Sequence, residues 1–167
     1  MAKPIFLIGF MGSGKSTLGR RLAARLGYTF LDLDKFIEDR QQAIIPDLFA
    51  KYGENDFRKL ESKALEEVSK LSDIVIATGG GAPCFFDNME VMNQAGNTIY
   101  LQISPRQLAS RLASSHTERP LIKGLEGDAL LGFVATKLEQ REVFYLKAHH
   151  CLTGDRLTVE DFLPFVS

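Results

Sequence analysis

The amino-acid sequence predicts an α/β fold, a three-layer αβα arrangement in which helices cover a five-stranded parallel sheet. Two observations carry this prediction. Short apolar runs of strand length alternate along the chain with longer segments of helical periodicity. The first run, residues 5–8, is apolar at every position, which is typical of a parallel strand buried on both faces. A length of 167 residues without a linker-like segment favours one domain, 1–167.

The elements follow from the local patterns. Strands are predicted at 5–8, 29–32, 73–78, 98–103 and 150–152. Helices are predicted at about 16–26, 35–71 in pieces, 105–113, from 127 to 148 and from 158, with a shorter one before 98. Pro46 and Gly53 interrupt the second helical stretch, and Ser104 precedes Pro105 as a helix cap. Ligands bind at the carboxyl ends of parallel strands, so the loops there should hold the chemistry.

Composition narrows the function classes. A formal net charge of -1 provides no overall positive field for nucleic acid or an anionic membrane. Two cysteines, Cys84 and Cys151, lie too far apart for a zinc-binding motif and indicate neither a disulfide scaffold nor an oxidising compartment. The first apolar stretch breaks at Gly9 and Gly12, too early for a signal peptide or a membrane span. These observations predict a soluble cytoplasmic protein.

The first strand is followed by a phosphate-binding loop, Gly9–Ser16, which has the form G-x-x-x-x-G-K-S. Its glycines allow backbone N–H groups to turn toward phosphates, and the following helix N-terminus adds partial positive charge. Lys15 is expected at the β- and γ-phosphates, and the Ser16 hydroxyl on Mg²⁺. A chance glycine-rich turn is the alternative, but the strand before it and the helix after it favour nucleotide binding. The predicted ATP-binding residues here are Gly12, Ser13, Gly14, Lys15, Ser16 and Thr17.

Two aspartates, Asp32 and Asp34, end the second strand. Strand alternation would place them on the same side. One carboxylate could help to order the metal shell, and the other could accept a proton from a substrate hydroxyl. As an alternative, Asp34 would cap a helix beginning at Lys35, an interpretation that the neighbouring phosphate-binding loop makes less favoured.

Two arginines, Arg58 and Arg141, lie on predicted helices. Arg58 is three residues before Glu61 and is therefore its neighbour on the helix surface. A guanidinium can bind a carboxylate with two parallel hydrogen bonds, which Lys cannot do. On pattern alone, the favoured interpretation of both arginines is a solvated charge on the helix surface.

A triple-glycine segment, Gly79–Gly81, follows the third strand. Three consecutive glycines cost conformational entropy, so we expect a ligand to approach the backbone closely and to accept hydrogen bonds from its N–H groups. A plain flexible turn is the less favoured alternative.

A polar segment of weak periodicity, 114–127, is predicted to be a mobile lid. It contains Arg119, which could close over the γ-phosphoryl group and stabilise charge during its transfer. An exposed loop arginine without a function is the alternative.

Taken together, these motifs resemble those of the shikimate kinase family along essentially the whole chain. The family's fold is similar to that of nucleoside monophosphate kinases, with a substrate-binding helical segment, here about 33–61, and a lid. Its reaction transfers the γ-phosphoryl group of ATP to the 3-hydroxyl of shikimate, on the route to chorismate and the aromatic amino acids. The matching motifs are Gly9–Ser16, Asp32-x-Asp34, Phe57-Arg58-x-x-Glu61, Gly79–Gly81, Arg119-Pro120-Leu121 and Arg141 with Tyr145.

The resemblance implies a role for each group. Asp34 would bind shikimate hydroxyls and accept the proton, with Lys15 and Arg119 as the other catalytic groups. Ser16, and Asp32 through water, would hold one Mg²⁺ ion that accompanies ATP. Arg111 and Arg156 would frame the adenine. The implied substrate-binding residues are Asp34, Arg58, Gly79, Gly80, Gly81 and Arg141, with the two arginines on the carboxylate and the backbone at Gly80 supporting the ring hydroxyls.

Three alternative functions compete with this assignment. A gluconate kinase of similar fold should not need both Arg58 and the triple-glycine segment. An adenylate kinase would call for more lid arginines than 114–127 contains. A non-catalytic nucleotide-binding module would be expected to lose one of Lys15, Ser16, Asp34 or Arg119. The expected partners are therefore ATP and shikimate, bound by a monomer.

Overall fold

The computed structural model describes residues 1–115 and 119–166, and it contains a five-stranded parallel sheet. The strands are β1 (Ile5–Ile8), β2 (Thr29–Asp32), β3 (Ile74–Ala77), β4 (Asn97–Gln102) and β5 (His150–Thr153). Their order across the sheet is β2-β3-β1-β4-β5, and every neighbouring pair is parallel. The α/β fold class and all five strands are thus confirmed, with ends within one residue of the predicted ones.

Helices connect the strands. They are α1 (Lys15–Leu26), α2 (Leu33–Gln41), α3 (Ile45–Val68), α4 (Asn88–Ala95), α5 (Pro105–Ala113), α6 (Gly127–Tyr145) and α7 (Val159–Val166), with short 3-10 turns at Ala82–Cys84 and Pro120–Ile122. As predicted, Pro46 lies in the first turn of α3, and Gly53 interrupts that helix with a non-helical φ of 79°. The Ser104 side chain caps α5 by accepting a hydrogen bond from the Gln107 N–H.

Strand β1 lies in the middle of the core. Phe6 and Ile8 face one apolar cluster and Ile5 and Leu7 face another, and all four are at most 2% exposed. Because successive strand residues point to opposite faces, both faces of the sheet are covered. No helix among residues 1–115 and 119–166 is long and apolar enough to cross a membrane.

The sheet order places the loops after β1 and β3 side by side. The chain leaving β1 crosses to β2 at one edge, whereas the chain leaving β3 crosses to β4 on the other side of β1. Connections that leave adjacent strands in opposite directions open a crevice at the carboxyl ends of those strands. Here the phosphate-binding loop follows β1 and the triple-glycine segment follows β3, so both line this crevice.

One local prediction about the second strand is wrong. Strand β2 ends at Asp32 and α2 begins at Leu33, so Asp34 lies in the first helical turn rather than on the strand. The helix cap is Asp32, whose Oδ1 accepts hydrogen bonds from the N–H groups of Asp34 (3.0 Å) and Lys35 (3.3 Å). Asp34 therefore is not the residue that caps this helix.

Candidate active site

The phosphate-binding loop turns on two glycines. Gly12 and Gly14 have φ angles of 81° and 95°, in the left-handed region that favours glycine. The turn is closed by a hydrogen bond from the Ser13 N–H to the Phe10 carbonyl (3.1 Å). Helix α1 follows at once, so its first N–H groups, which have no acceptor within the helix, point into the crevice. Such an N-terminus is a binding site for anions such as phosphate.

The Lys15 side chain is buried beneath this loop. Its Nζ donates hydrogen bonds to the carbonyls of Gly9 (2.6 Å) and Phe10 (3.0 Å). Burial lowers the pKa of Lys15 to about 8, although Asp34 and Asp32 oppose that shift. The amine therefore lies against the phosphate-binding loop and interacts with both aspartates.

Ser16 and Asp32 form an oxygen pair at the start of α1. The Ser16 Oγ donates to the Asp32 Oδ2 at 2.9 Å. A hydroxyl and a carboxylate are ligands that suit Mg²⁺, which usually keeps several waters and binds substrate phosphates rather than an all-protein cage. In agreement, no group of three or more His, Cys, Asp or Glu side chains able to hold a metal occurs in the described part of the chain. The pair fits a metal that arrives with its nucleotide.

Asp34 lies in the crevice between the loop and the triple-glycine segment. Burial raises the pKa of its carboxyl to about 6; the negative charge of Asp32 adds to the shift and the positive charge of Lys15 opposes it. Asp32 and Asp34 are thus close enough to interact, as predicted, but not because they alternate along a strand. A carboxylate with a pKa near 6 is ionised at neutral pH and is a better proton acceptor than an ordinary aspartate.

Arg58 is buried on the inner face of α3, only 6% exposed. Its Nη1 donates to the Oε1 of Glu61 at 2.9 Å, and its guanidinium lies 4.4 Å from the ring centroid of Phe85. Its Nε has no hydrogen-bond partner in the described structure. A buried guanidinium with an unused donor fits an anionic ligand. The interpretation of Arg58 as a solvated charge is therefore wrong.

Arg141 is likewise buried on α6, at 6% exposure. Its guanidinium lies 5.6 Å from the ring centroid of Phe10, a residue of the phosphate-binding loop. Burial raises the pKa of Glu61 to about 7, and the positive charge of Arg141 is among the charges that oppose that shift. Burial lowers the pKa of Lys15, and the charge of Arg141 adds a little to that shift. Arg58 and Arg141 thus converge from different helices on one crevice, and the solvated interpretation fails for Arg141 too.

The triple-glycine segment makes room for three functional side chains. A Cβ atom on Gly79 would lie 2.8 Å from the Asp34 Oδ1. The corresponding atom on Gly80 would lie 3.1 Å from the Arg141 Nη1, and on Gly81 it would lie 2.5 Å from the Arg58 Nη2. None of these glycines has a φ in the left-handed region. Glycine is needed at these positions because the functional side chains of the protein itself occupy the space where a Cβ atom would lie. The sequence predicted a different reason, the close approach of a ligand to the backbone.

Arg119 reaches the same crevice from the segment between α5 and α6. It is partly buried, and its Nη1 donates to the Ser115 Oγ at 3.4 Å. Burial lowers the pKa of Arg119, and the negative charge of Asp34 opposes that shift. The side chain therefore lies near Asp34 and Lys15. Residues 116–118 of the predicted lid lie outside the described residues.

Arg111 links the phosphate-binding loop to the segment after β5. It donates to the carbonyls of Gly12 (3.2 Å) and Asp155 (2.6 Å). Arg156 is exposed next to Asp155. Thr17 is exposed in the first turn of α1. Arg111 therefore lies beside the phosphate-binding loop, on the side of the segment that follows β5.

The structure thus unites most of the predicted site residues in one crevice, and it adds contacts that sequence patterns did not predict. Phe85 and Phe10 cover the buried arginines. Tyr145, which the resemblance paired with Arg141 without giving it a role, donates its hydroxyl hydrogen to the Gly80 carbonyl. The spacing of Tyr145, one helical turn after Arg141, was a usable signal. Nothing in the sequence signalled the contacts of the two phenylalanines.

Comparisons with known proteins agree with this geometry. The profile of the shikimate kinase family matches residues 11–165. A shikimate kinase of Parabacteroides distasonis is 46% identical over 165 residues, covering 99% of this chain and 95% of its own. The crystal structure of a Bacteroides thetaiotaomicron shikimate kinase superimposes with a TM-score of 0.92 at 42% identity, covering 97% of this chain and 94% of the other.

Two further solved structures resemble this chain. A shikimate kinase from Acinetobacter baumannii, solved in complex with shikimate, has a TM-score of 0.87 and 33% identity, with 98% of this chain and 90% of the other covered. A gluconokinase from Sinorhizobium meliloti has a TM-score of 0.60 at 17% identity, with 97% and 90% covered. At that identity the second likeness concerns the fold alone.

Proposed function

The chain belongs to the shikimate kinase family, and we propose that it transfers the γ-phosphoryl group of ATP to the 3-hydroxyl of shikimate. The products are shikimate 3-phosphate and ADP, on the route to chorismate and the aromatic amino acids. The observation that carries the proposal is the convergence of two buried guanidinium groups, Arg58 and Arg141, on the crevice that also holds Asp34.

The charges of the crevice suit an acceptor with one carboxylate and several hydroxyls. Arg58 has an unused Nε donor and lies against Gly81, and Arg141 lies against the neighbouring Gly80. A carboxylate bound between two such arginines would be fixed in orientation as well as position. Holding the acceptor rigidly matters because positioning and electrostatics account for most of the catalysis of phosphoryl transfer.

Three residues act on the reacting groups in this proposal. Asp34 accepts the proton of the 3-hydroxyl as the oxygen attacks phosphorus. Lys15 binds the β- and γ-phosphates, and Arg119 stabilises the charge of the transferred group. Their arrangement supports these roles, since Asp34 influences the pKa of both cations. A segment of about 33–61 would bind the acceptor, and 114–127 would act as the lid that excludes water.

Mg²⁺ would be held on the protein side by Ser16 and, through water, by Asp32. Bound there with ATP, the ion neutralises charge on the β- and γ-phosphates. The nucleotide would extend from the phosphate-binding loop, with contacts from Gly12, Ser13, Gly14 and Thr17, toward Arg111 and Arg156 at the adenine.

The setting proposed for the enzyme is the cytoplasm, and the proposed assembly is a monomer. Cys84 and Cys151 are free thiols, which suits a reducing compartment. The residues assigned to ATP and shikimate come from one chain, so catalysis does not require a second copy.

A direct test is the structure of the product. Incubation with shikimate and Mg·ATP should give one phosphomonoester in ³¹P NMR, with phosphorus coupled to the proton on C3. Coupling to another ring proton would contradict the assigned orientation of the acceptor. An absence of any new phosphomonoester would contradict the proposed function itself.

A further inference from the structure

The last residue of α6, Tyr145, occupies the interior of the site without belonging to the roles described so far. It is fully buried, and its ring packs against Tyr100 with centroids 5.1 Å apart. It follows Arg141 by four residues, so the two side chains lie on the same face of the helix. A buried tyrosine needs a partner for its hydroxyl, because a lost hydrogen bond inside the protein is costly.

The hydroxyl has a hydrogen-bond partner in the acceptor site. It donates a hydrogen bond of 2.5 Å to the Gly80 carbonyl, 65 positions earlier in the chain. Burial raises the pKa of Tyr145, and the positive charge of Arg141 nearby opposes that shift. The hydroxyl therefore holds the backbone of the triple-glycine segment beside a substrate arginine.

This hydrogen bond adds a restraint at Gly80 between two turn hydrogen bonds, which the Gly79 carbonyl accepts from the Ala82 N–H and the Gly81 carbonyl accepts from the Cys84 N–H. Glycine has the widest conformational freedom of any residue, and Gly80 lies between two other glycines. Because a peptide is planar and trans, fixing the Gly80 carbonyl also directs the Gly81 N–H to the opposite side. Arg141 lies where a Gly80 side chain would begin, 3.1 Å from the Cβ position. The position of the Gly80 backbone, which the hydroxyl holds, therefore sets the space that the Arg141 guanidinium occupies.

We propose that the Tyr145 hydroxyl is a positioning group that sets Arg141 and the Gly80 backbone in the arrangement that binds the acceptor. In this role it acts through the Gly80 backbone, and across that backbone on Arg141, rather than on ATP or the reacting atoms. The inference rests on the proposed function, because the affected ligand is the acceptor carboxylate and its neighbouring hydroxyls.

The test is Tyr145→Phe, which removes the hydroxyl and keeps the ring. The KM for shikimate should rise about tenfold, because an unsatisfied carbonyl and a loosened guanidinium weaken acceptor binding. The KM for ATP should change less than twofold. A shikimate KM equal to that of the unaltered enzyme would overturn the inference.

Tyr100→Phe is the matched control. Tyr100 is the adjacent buried ring, and its hydroxyl bonds to the Glu142 carboxylate, not to the acceptor site. Both variants should lower Tm, but only Tyr145→Phe should raise the shikimate KM. Equal rises in both would mean that loss of either hydroxyl merely loosens the core, and would overturn the specific role.

A double mutant separates action through Arg141 from an independent effect. In an Arg141→Lys background, Tyr145→Phe should raise the shikimate KM by a smaller factor than it does alone, since the guanidinium that it positions has already been replaced. An equal factor in both backgrounds would contradict coupling through Arg141.

Incorporation of 4-aminophenylalanine at position 145 supplies a second variant. It keeps the ring and places an N–H donor near the Gly80 carbonyl, so the shikimate KM should return toward that of the unaltered enzyme. This variant decides the question even if Tyr145→Phe fails to fold; a shikimate KM raised tenfold despite a retained donor would overturn the inference. If the unaltered enzyme itself does not phosphorylate shikimate, the proposed function fails instead.

Discussion

The guanidinium of Arg58 lies where a side chain on Gly81 would begin: a Cβ atom on Gly81 would lie 2.5 Å from the Nη2 atom of Arg58. The glycine thereby allows the buried guanidinium to lie against the backbone of the segment that follows β3. The same relationship joins Gly79 to Asp34 and Gly80 to Arg141. Three consecutive glycines thus each accommodate a different polar side chain, and the crevice is organised around backbone that carries no side chains of its own.

Gly81→Ala tests this relationship. The added methyl group must displace the Arg58 guanidinium from its position beside Glu61, so the shikimate KM should rise by about tenfold or more. Steady-state kinetics at saturating ATP would measure it. Gly132→Ala is the matched control, because a Cβ there meets nothing within 4 Å on α6. That control should keep its KM and gain a little stability; an unchanged KM in Gly81→Ala would show that Arg58 does not need its observed position.

Asp34→Asn tests the proton acceptor. The amide keeps the shape of the side chain but cannot take up the hydroxyl proton, so kcat should fall about 10²- to 10⁴-fold. The affinity for ATP, measured by calorimetry, should change less than about threefold. A large loss of nucleotide affinity would instead assign Asp34 to the metal or the phosphates.

The raised pKa of Asp34 predicts a pH dependence of activity. Its carboxyl titrates near pH 6, mainly because it is buried. Since the ionised form accepts the proton, kcat/KM for shikimate should fall about tenfold per unit as the pH drops below about 6. A profile that stays flat down to pH 5 would show that another group accepts the proton.

The titration of Asp34 also makes stability depend on pH, in the direction opposite to that of activity. Folding raises the Asp34 pKa from 3.8 to about 6, so the folded state binds the proton more tightly than the unfolded state. This contribution to stability is present below pH 3.8 and is lost as the pH rises toward 6. The Tm of the enzyme relative to Asp34→Asn should therefore decrease over that range, as differential scanning calorimetry can measure. A constant difference would mean that the carboxyl is not desolvated.

Arg58→Lys tests the geometry of acceptor binding. Lysine keeps the charge but loses the planar pair of donors, so the shikimate KM should rise while the ATP KM stays constant. A rise of roughly tenfold corresponds to the loss of one charge-assisted hydrogen bond. An unchanged shikimate KM would remove Arg58 from the proposed carboxylate site.

Local patterns predicted the sheet and the phosphate-binding loop because both depend on near neighbours in the chain. Apolar runs specify strands, and Gly12 and Gly14 adopt the φ angles that only glycine adopts readily. The burial of Arg58 was beyond such patterns, since an arginine on a helix is usually solvated. It is buried here because Phe85, far along the chain, packs over it and Gly81 leaves the space for it.

The two aspartates show how a correct grouping can rest on a wrong reason. Alternation along a strand was expected to align them, but the strand ends at Asp32, which caps α2 and orients Asp34 in its first turn. The likeness to shikimate kinases, not any single motif, indicated which small molecule the crevice accepts. The residue-level roles remain predictions for the experiments above.

The central claim is that the crevice between the phosphate-binding loop and the triple-glycine segment phosphorylates an acceptor with one carboxylate and a ring of hydroxyls. The most direct measurement is a coupled ADP-release assay with Mg·ATP and shikimate, gluconate or AMP as the acceptor. Shikimate should give turnover far above the rate without acceptor, and gluconate and AMP should not. No shikimate-dependent ADP release, or a higher kcat/KM with gluconate or AMP, would contradict the account.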